Sequence, residues 1–305
     1  MTSDLPTSPE TLAQREHYHR SLTEIPAVLH RSLASRICRR LTRRLVWPLL
    51  APLLSAASKR FAVQAAEFNR YFFDELGVSR DEVERAYAAA CAELNLHQRP
   101  HESIHRKCFV ALSLAGFSPR NILEIGTESA DVTRLLVHLF PEATVHTVEL
   151  GADDPFYAFF HWQGAEAYER ELAAKLDHPR IRSLRANTLW LMARDLPDFD
   201  LIWLDGGHEY PEVAWDHFYC LHKLAPGGWL FSDDVIAPAS HHRQCDPNAG
   251  DVWNTIRYIN ARIDDEFKLL LKRERAIDLV RDRKFVAFMR KSKTCASLSA
   301  RGRTP

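Results

Sequence analysis

The sequence lacks the features of a disulfide-stapled, zinc-thiolate or membrane-spanning protein. Its six cysteines, Cys38, Cys91, Cys108, Cys220, Cys245 and Cys295, are scattered without a CxxC pair. That spacing excludes a dense disulfide framework and a thiolate zinc site, and implies reduced thiols in a cytoplasmic protein. Net charge is also absent, since 40 basic side chains balance 40 acidic ones. No global field therefore draws the chain to nucleic acid, and the main body shows no interleaving of aromatic and basic residues. The opening "MTSDLPTSPE" lacks the charged-then-apolar order of a signal peptide. The longest apolar stretch, "LVWPLLAPLLSAA" at 45–57, is too short to span a bilayer and contains two prolines. Internal repeats and low-complexity tracts are absent as well.

What is present is an apolar share of 46% in 305 residues, enough for a substantial core, and two textures along the chain. Residues 1–100 read as helical throughout. Leu29, Leu33, Ile37, Leu41 and Leu45 recur at the spacing of a helix stripe, and Ser79 with Glu82 forms a capping-box signature before an alanine-rich run. Within this extension "RICRRLTRR" (36–44) carries five arginines and abuts the apolar stretch. Residues 36–57 therefore have two readings. They lie on an anionic membrane surface, or they form a helical hairpin that packs its apolar side inward while the arginines stay wet.

A break near "HQRPHES" (97–103) places a domain boundary, with the main domain at 101–292 and a loose polar tail at 293–305. In the main domain, apolar strands alternate with helices: "NILEIG", "TVHTVEL", "IRSLRA", "DLIWLD" and "GGWLFSDDV" are the strands. The spacing predicts right-handed crossovers and a Rossmann-like, doubly wound, mostly parallel sheet. "EFKLLLKRE" and "RKFVAFMRK" are expected to close it as a C-terminal antiparallel pair.

Ligands of such sheets bind beyond the carboxyl ends of the strands. There the sequence places Glu124 with Gly126 and Thr127, then Glu149, then "DGGH" (205–208), then Asp233-Asp234. Every tip is acidic. Glu149 suits a pair of ribose hydroxyls, because a carboxylate accepts two hydrogen bonds at once. The "GTESAD" turn has one glycine and flanking glutamates. It disfavours a diphosphate and favours a cationic amine. A ligand with a ribose, an amine and no phosphate fits S-adenosylmethionine.

These stretches, with "NILEIGT", "TVEL", "DLIWLDGGHEYPEV" and "LAPGGWLFSDDV", resemble the class I S-adenosylmethionine-dependent methyltransferases. The likeness is to the small-molecule O-methyltransferase group with a DG-x-H-x-Y tip and a paired acid after PGG. It runs from about residue 104 to 291, and it departs at Ala130 and Asp131, where relatives often carry glycines. The resemblance implies that Glu124, Gly126 and Thr127 line the methionine part of the cofactor, that Glu149 holds the ribose, and that Asn187 lies near the adenine. Asp205 would serve cofactor and catalysis alike.

Three carboxylates at adjacent tips repel, so one is protonated or a cation sits among them. Hard oxygen ligands favour magnesium or manganese. The resemblance implies such an ion held by Asp205, Asp233 and Asp234, with His208 as general base on a substrate hydroxyl. The expected reaction is metal-assisted O-methylation of a small molecule, natural product or glycan. The alternatives are metal-independent O- or N-transfer, and a binding or tethering module that works through residues 28–60. "HHRQC" (241–245) reads as a substrate-side loop, and "DPFYAFFHWQG" (154–164) as core mixed with a lid over the ligand. Peripheral membrane contact and a homodimer are both compatible with the helical extension.

Overall fold

The structure, a computed structural model, describes residues 63–97, 102–152, 154, 157, 165–236, 249–273 and 284–293. The arginine-rich segment, the 36–57 stretch, "HHRQC", most of the aromatic run at 154–164 and residues 294–305 lie outside them. All the described residues belong to one compact unit, 58–305.

The unit is built on a seven-stranded sheet: β1 Asn121–Ile125, β2 Thr144–Glu149, β3 Ile181–Arg185, β4 Phe199–Leu204, β5 Leu224–Ile236, β6 Lys268–Leu271 and β7 Lys284–Arg290. The order is β3-β2-β1-β4-β5-β7-β6. The first five strands are parallel, and β7 lies antiparallel to both β5 and β6. The fold is therefore the expected Rossmann-like one, with chain order reversing between β1 and β4.

The strands are apolar on both faces because both faces are covered, and side chains alternate between them. Ile122, Leu201, Trp203, Trp229, Phe231, Val286 and Phe288 share one core. Leu123, Ile125, Ile202, Leu204, Leu230, Ala287 and Met289 share the other. Helix α1 (63–76), α2 (Arg80–Glu93), α3 (His105–Leu114) and α4 (Asp131–Leu139) contribute to the first core. The second takes α6 (Glu212–Lys223), α7 (Ala249–Asn260) and the short 3-10 turn Thr188–Ala193. Helix α5 (Ala165–Leu176) follows β2. Ser79 caps α2 as its sequence foretold, its Oγ accepting from the Glu82 N–H at 3.2 Å. Helix α7 goes unmarked in the strand-and-helix reading above, although Val252, Ile256 and Ile259 supply its buried face at helical spacing.

The boundary expected near residue 100 does not separate two bodies. Phe72 of α1 meets Phe288 edge-on at 4.9 Å and Trp229 at 6.0 Å. Asn69 plays the part of a missing strand. Its Nδ2 donates to the Leu271 carbonyl at 3.1 Å, and its Oδ1 accepts from the Leu271 N–H at 2.8 Å. Tyr71 Oη donates to the Leu269 carbonyl at 2.8 Å. Helix α1 thus covers the free edge of β6, which would otherwise present unpaired backbone groups. Among the described residues no helix is long and apolar enough to cross a membrane.

Candidate active site

The carboxyl ends of β1, β2, β4 and β5 meet at the chain reversal, and each tip carries the acid read from the sequence. The turn after β1 is tightly coiled. Gly126 has φ +94°, and Glu128 and Ala130 also take left-handed conformations, at φ 43° and 60°. The Gly126 N–H donates to the Val148 carbonyl at 2.9 Å, while the Ile125 carbonyl accepts from the Asp205 N–H at 2.8 Å. The β1 tip is thereby clamped between β2 and β4. A side chain at Gly126 would collide with the Asp205 carbonyl. The glycine is needed for this approach of chain to chain, whereas the sequence reading gave it to a ligand.

Glu124 is fully buried. Its Oε2 accepts from Thr133 Oγ1 at 2.5 Å and from Thr147 Oγ1 at 2.6 Å, and Thr127 Oγ1 joins Thr147 Oγ1 at 2.6 Å. Burial pushes the Glu124 carboxyl up to about 7, against the pull of the two threonine hydroxyls. Glu124 and Thr127 therefore form a floor beneath the turn, and Glu124 Oε1 has no hydrogen-bond partner within the protein. Glu149 stands at the β2 tip, accepting from the Glu128 N–H at 2.8 Å and the Leu150 N–H at 3.0 Å. Each of its oxygens keeps a lone pair for a further donor. Asn187, two residues past β3, caps the 3-10 turn: Oδ1 accepts from the Leu189 N–H at 3.0 Å, and Nδ2 donates to Asp154 Oδ2 at 3.3 Å. This half of the crevice offers carboxylate and amide acceptors and an unpartnered buried carboxyl oxygen. That donor-hungry set fits the amine and ribose of S-adenosylmethionine.

The other half differs from expectation. Asp233 and Asp234 lie near the end of β5, in the break of its register with β7, and Asp234 takes φ 52°. The Lys272 ammonium, which follows β6, hydrogen-bonds Asp233 Oδ2 and Asp234 Oδ1 together. Lys284 Nζ, at the start of β7, reaches Asp234 Oδ2 at 2.6 Å. Both lysines arrive here because β7 runs antiparallel, so its first residue and the end of β6 share the edge where β5 stops. Lys272 is only 6% exposed. Burial acts to lower its ammonium, but Asp233 and Asp234 outweigh that and raise it. Burial likewise works to raise Asp234, yet Lys272 and Lys284 hold it below the usual carboxylate range. Asp205, half-buried, is driven the other way, well above its ordinary value, first by burial and then by Asp233. Of the two resolutions left open for three crowded acids, the geometry supplies a cation, the Lys272 ammonium.

The cation in place is the Lys272 ammonium. Two like unit charges about 4 Å apart cost about 4 kcal/mol at an effective dielectric of ~20, and a divalent ion would double that against Lys272. A magnesium or calcium shell also needs six or more oxygens, and Lys272 occupies one from each of Asp233 and Asp234. Among the described residues no group of three or more His, Cys, Asp or Glu side chains is placed to hold a metal ion. The residues expected to hold magnesium or manganese, Asp205, Asp233 and Asp234, thus meet in a lysine-bridged acid cluster.

His208 faces the cluster, its Nε2 3.8 Å from Asp205 Oδ1 and 3.9 Å from Asp234 Oδ2. Burial lowers its imidazole, and the two acids of β5 only partly counter this. A neutral ring beside carboxylates is a proton acceptor at neutral pH. Two further buried groups border the site without having been singled out in the sequence. His105 stacks on Trp203 at 4.2 Å with Nδ1 against Ser103 Oγ at 2.7 Å. Asp216, 1% exposed on α6, lies under Gly206, and burial pushes it up to about 7. Neither Lys272 nor Lys284 belongs to a motif, and the only signal for them was a basic residue beside each closing strand.

Residues 123–235 match a family described as a methyltransferase domain. No curated protein matches the chain. Among solved structures, the chain is similar to the O-methyltransferase TomG of Streptomyces achromogenes, solved with S-adenosylmethionine, at 20% identity and a TM-score of 0.46, covering 74% of this chain and 98% of that one. It is similar also to an O-methyltransferase of Bacillus cereus in complex with S-adenosylhomocysteine, at 17% identity and 0.45, covering 75% and 100%. A third is the N-methyltransferase NodS of Bradyrhizobium japonicum, at 16% and 0.42, covering 62% and 94%. The matched segment runs from within β1 to the last residues of β5 and takes in their acidic tips, and this stretch is similar to a methyltransferase domain.

Proposed function

We propose that the protein transfers a methyl group from S-adenosylmethionine to a hydroxyl oxygen of a small molecule or glycan, with His208 taking the hydroxyl proton. The observation that carries this reading is the His208 imidazole, neutral by burial and flanked by Asp205 and Asp234 at the β4 tip. When bound, S-adenosylmethionine supplies an electrophilic methyl on a cationic sulfur. Glu149 would accept from the ribose, and the acidic floor at Glu124 would receive the amine. Asn187 and Asp154 would border the adenine. An acceptor hydroxyl is a weak nucleophile until its proton leaves, and His208 Nε2 would take that proton as the oxygen attacks. Ionised Asp234 stands 3.9 Å from that nitrogen and would stabilise the imidazolium.

Calorimetric titration of S-adenosylhomocysteine into the full chain, beside Glu149→Ala, tests the cofactor assignment. Micromolar binding is expected for the wild-type chain. The variant should bind about tenfold or more weakly, the loss of hydrogen bonds to a charged acceptor. A wild-type chain that does not bind S-adenosylhomocysteine would overturn the reading.

A further inference from the structure

We propose that Lys272 is a built-in cation standing where a divalent ion would otherwise be held, so that the Asp205–Asp233–Asp234 cluster works without metal. Five side chains from four strands meet there, two of them lysines. Lys272 and Lys284 balance Asp233 and Asp234, and a divalent ion added to that set would bring an unmatched double charge. Geometry excludes it as firmly as charge does. The ammonium takes Asp233 Oδ2 and Asp234 Oδ1, one oxygen from each acid. Lys284 takes Asp234 Oδ2 at 2.6 Å. Asp234 then has neither oxygen free of an ammonium.

Lys272 touches no reacting atom in this scheme. It holds Asp234 in place 3.9 Å from His208 Nε2, which makes it a positioning residue. That positioning role rests on the methyl-transfer reading above. The exclusion of metal does not, and it is tested without turnover or cofactor.

The experiment titrates manganese chloride into the EDTA-treated full chain and follows free Mn2+ by electron paramagnetic resonance, with thermal melting alongside. The proteins are wild type, Lys272→Met, Lys272→Arg and the double variant Lys272→Met/Asp233→Asn. Wild type and Lys272→Arg are expected to take up no ion and to melt at an unchanged temperature. Lys272→Met, relieved of the ammonium, is expected to bind one Mn2+ at least about tenfold more tightly than wild type and to be stabilised by it. The double variant is expected to lose that gain. Tight one-to-one uptake by the wild-type chain would overturn the proposal, and needs no variant to be seen. A folded Lys272→Met that gains no affinity would overturn it too. Should Lys272→Met not fold, Lys284→Ala replaces it: removing that counter-charge is expected to admit Mn2+ weakly, and no gain there overturns the proposal. Because S-adenosylhomocysteine binding is read in a separate titration, failure here leaves the methyltransferase reading standing, and the reverse holds equally.

Discussion

The backbone of Gly126 lies against that of Asp205 so closely that a Cβ on the glycine would sit 2.2 Å from the Asp205 carbonyl oxygen and 2.7 Å from its carbon. The contact joins the β1 turn to the β4 tip, and so the two halves of the crevice. Gly126→Ala is expected to destabilise the fold by about 3 kcal/mol or more, because a left-handed φ and a backbone clash act together. Urea unfolding measures it. A midpoint within error of wild type would mean the turn can open without loss.

Helix α1 is part of the sheet's core and not an appendage. Phe72 is fully buried among Phe73, Trp229, Phe231 and Phe288. Phe72→Ala should therefore cost about 3–5 kcal/mol of the stability of the whole domain. The expected trace is one cooperative transition shifted downward. Two transitions, with the cofactor-binding part melting as in wild type, would restore the boundary near residue 100.

Two buried groups should bend the pH dependence of stability in opposite directions. His217 Nδ1 donates to the Val213 carbonyl at 2.7 Å, so Nε2 is the acceptor for Ser232 Oγ at 3.1 Å and the ring is neutral. Burial sets its imidazole down to about 4, from 6.5. The unfolded chain binds this proton first. The stability is thus fully present above 6.5 and lost as pH falls towards 4, by about 3 kcal/mol over the window. Glu124, raised from 4.5 to about 7, does the reverse and loses stability as pH rises between those values. Chemical denaturation of wild type, His217→Gln and Glu124→Gln from pH 4 to 7 separates the two. His217→Gln should gain on wild type towards pH 4, and Glu124→Gln towards pH 7. Parallel curves would rule out both assignments.

With an acceptor in hand, His208→Gln should lower kcat by about 10²–10⁴-fold, the range of general-base assistance. S-adenosylhomocysteine affinity should stay near that of wild type, since the ring borders the acid cluster and not Glu149. A kcat within about threefold of wild type would remove the base from His208 and leave it a packing role.

The sheet was legible because burial on both faces writes continuous apolar runs, and a run's end is easy to see. Glu149, Asp205 and Asp233-Asp234 stand at their tips for that reason. What could not be read was set by contacts distant in sequence. Glu124 belongs to a tip motif, but only the packing of Thr133 and Thr147 around it decides that it is floor and not wall. Gly126 has the same left-handed φ whether a ligand or Asp205 lies opposite. Lys272 meets Asp233 across 39 positions, and strand periodicity says nothing about which charge a neighbouring strand will deliver. Asn69 pairs with Leu271 across 202 positions, so a helix that covers a sheet edge looks, in sequence, like a helix standing apart.

The placement of β7 between β5 and β6 has a consequence for synthesis. In the sheet β6 pairs with β7 alone, so the sheet on the lysine side is completed only when the later strand has emerged from the ribosome and slotted in. A nascent chain that has made β1 to β5 carries three crowded carboxylates and no counter-charge for them. The same lysines that neutralise the finished site thereby tie its completion to arrival of residues 284–290.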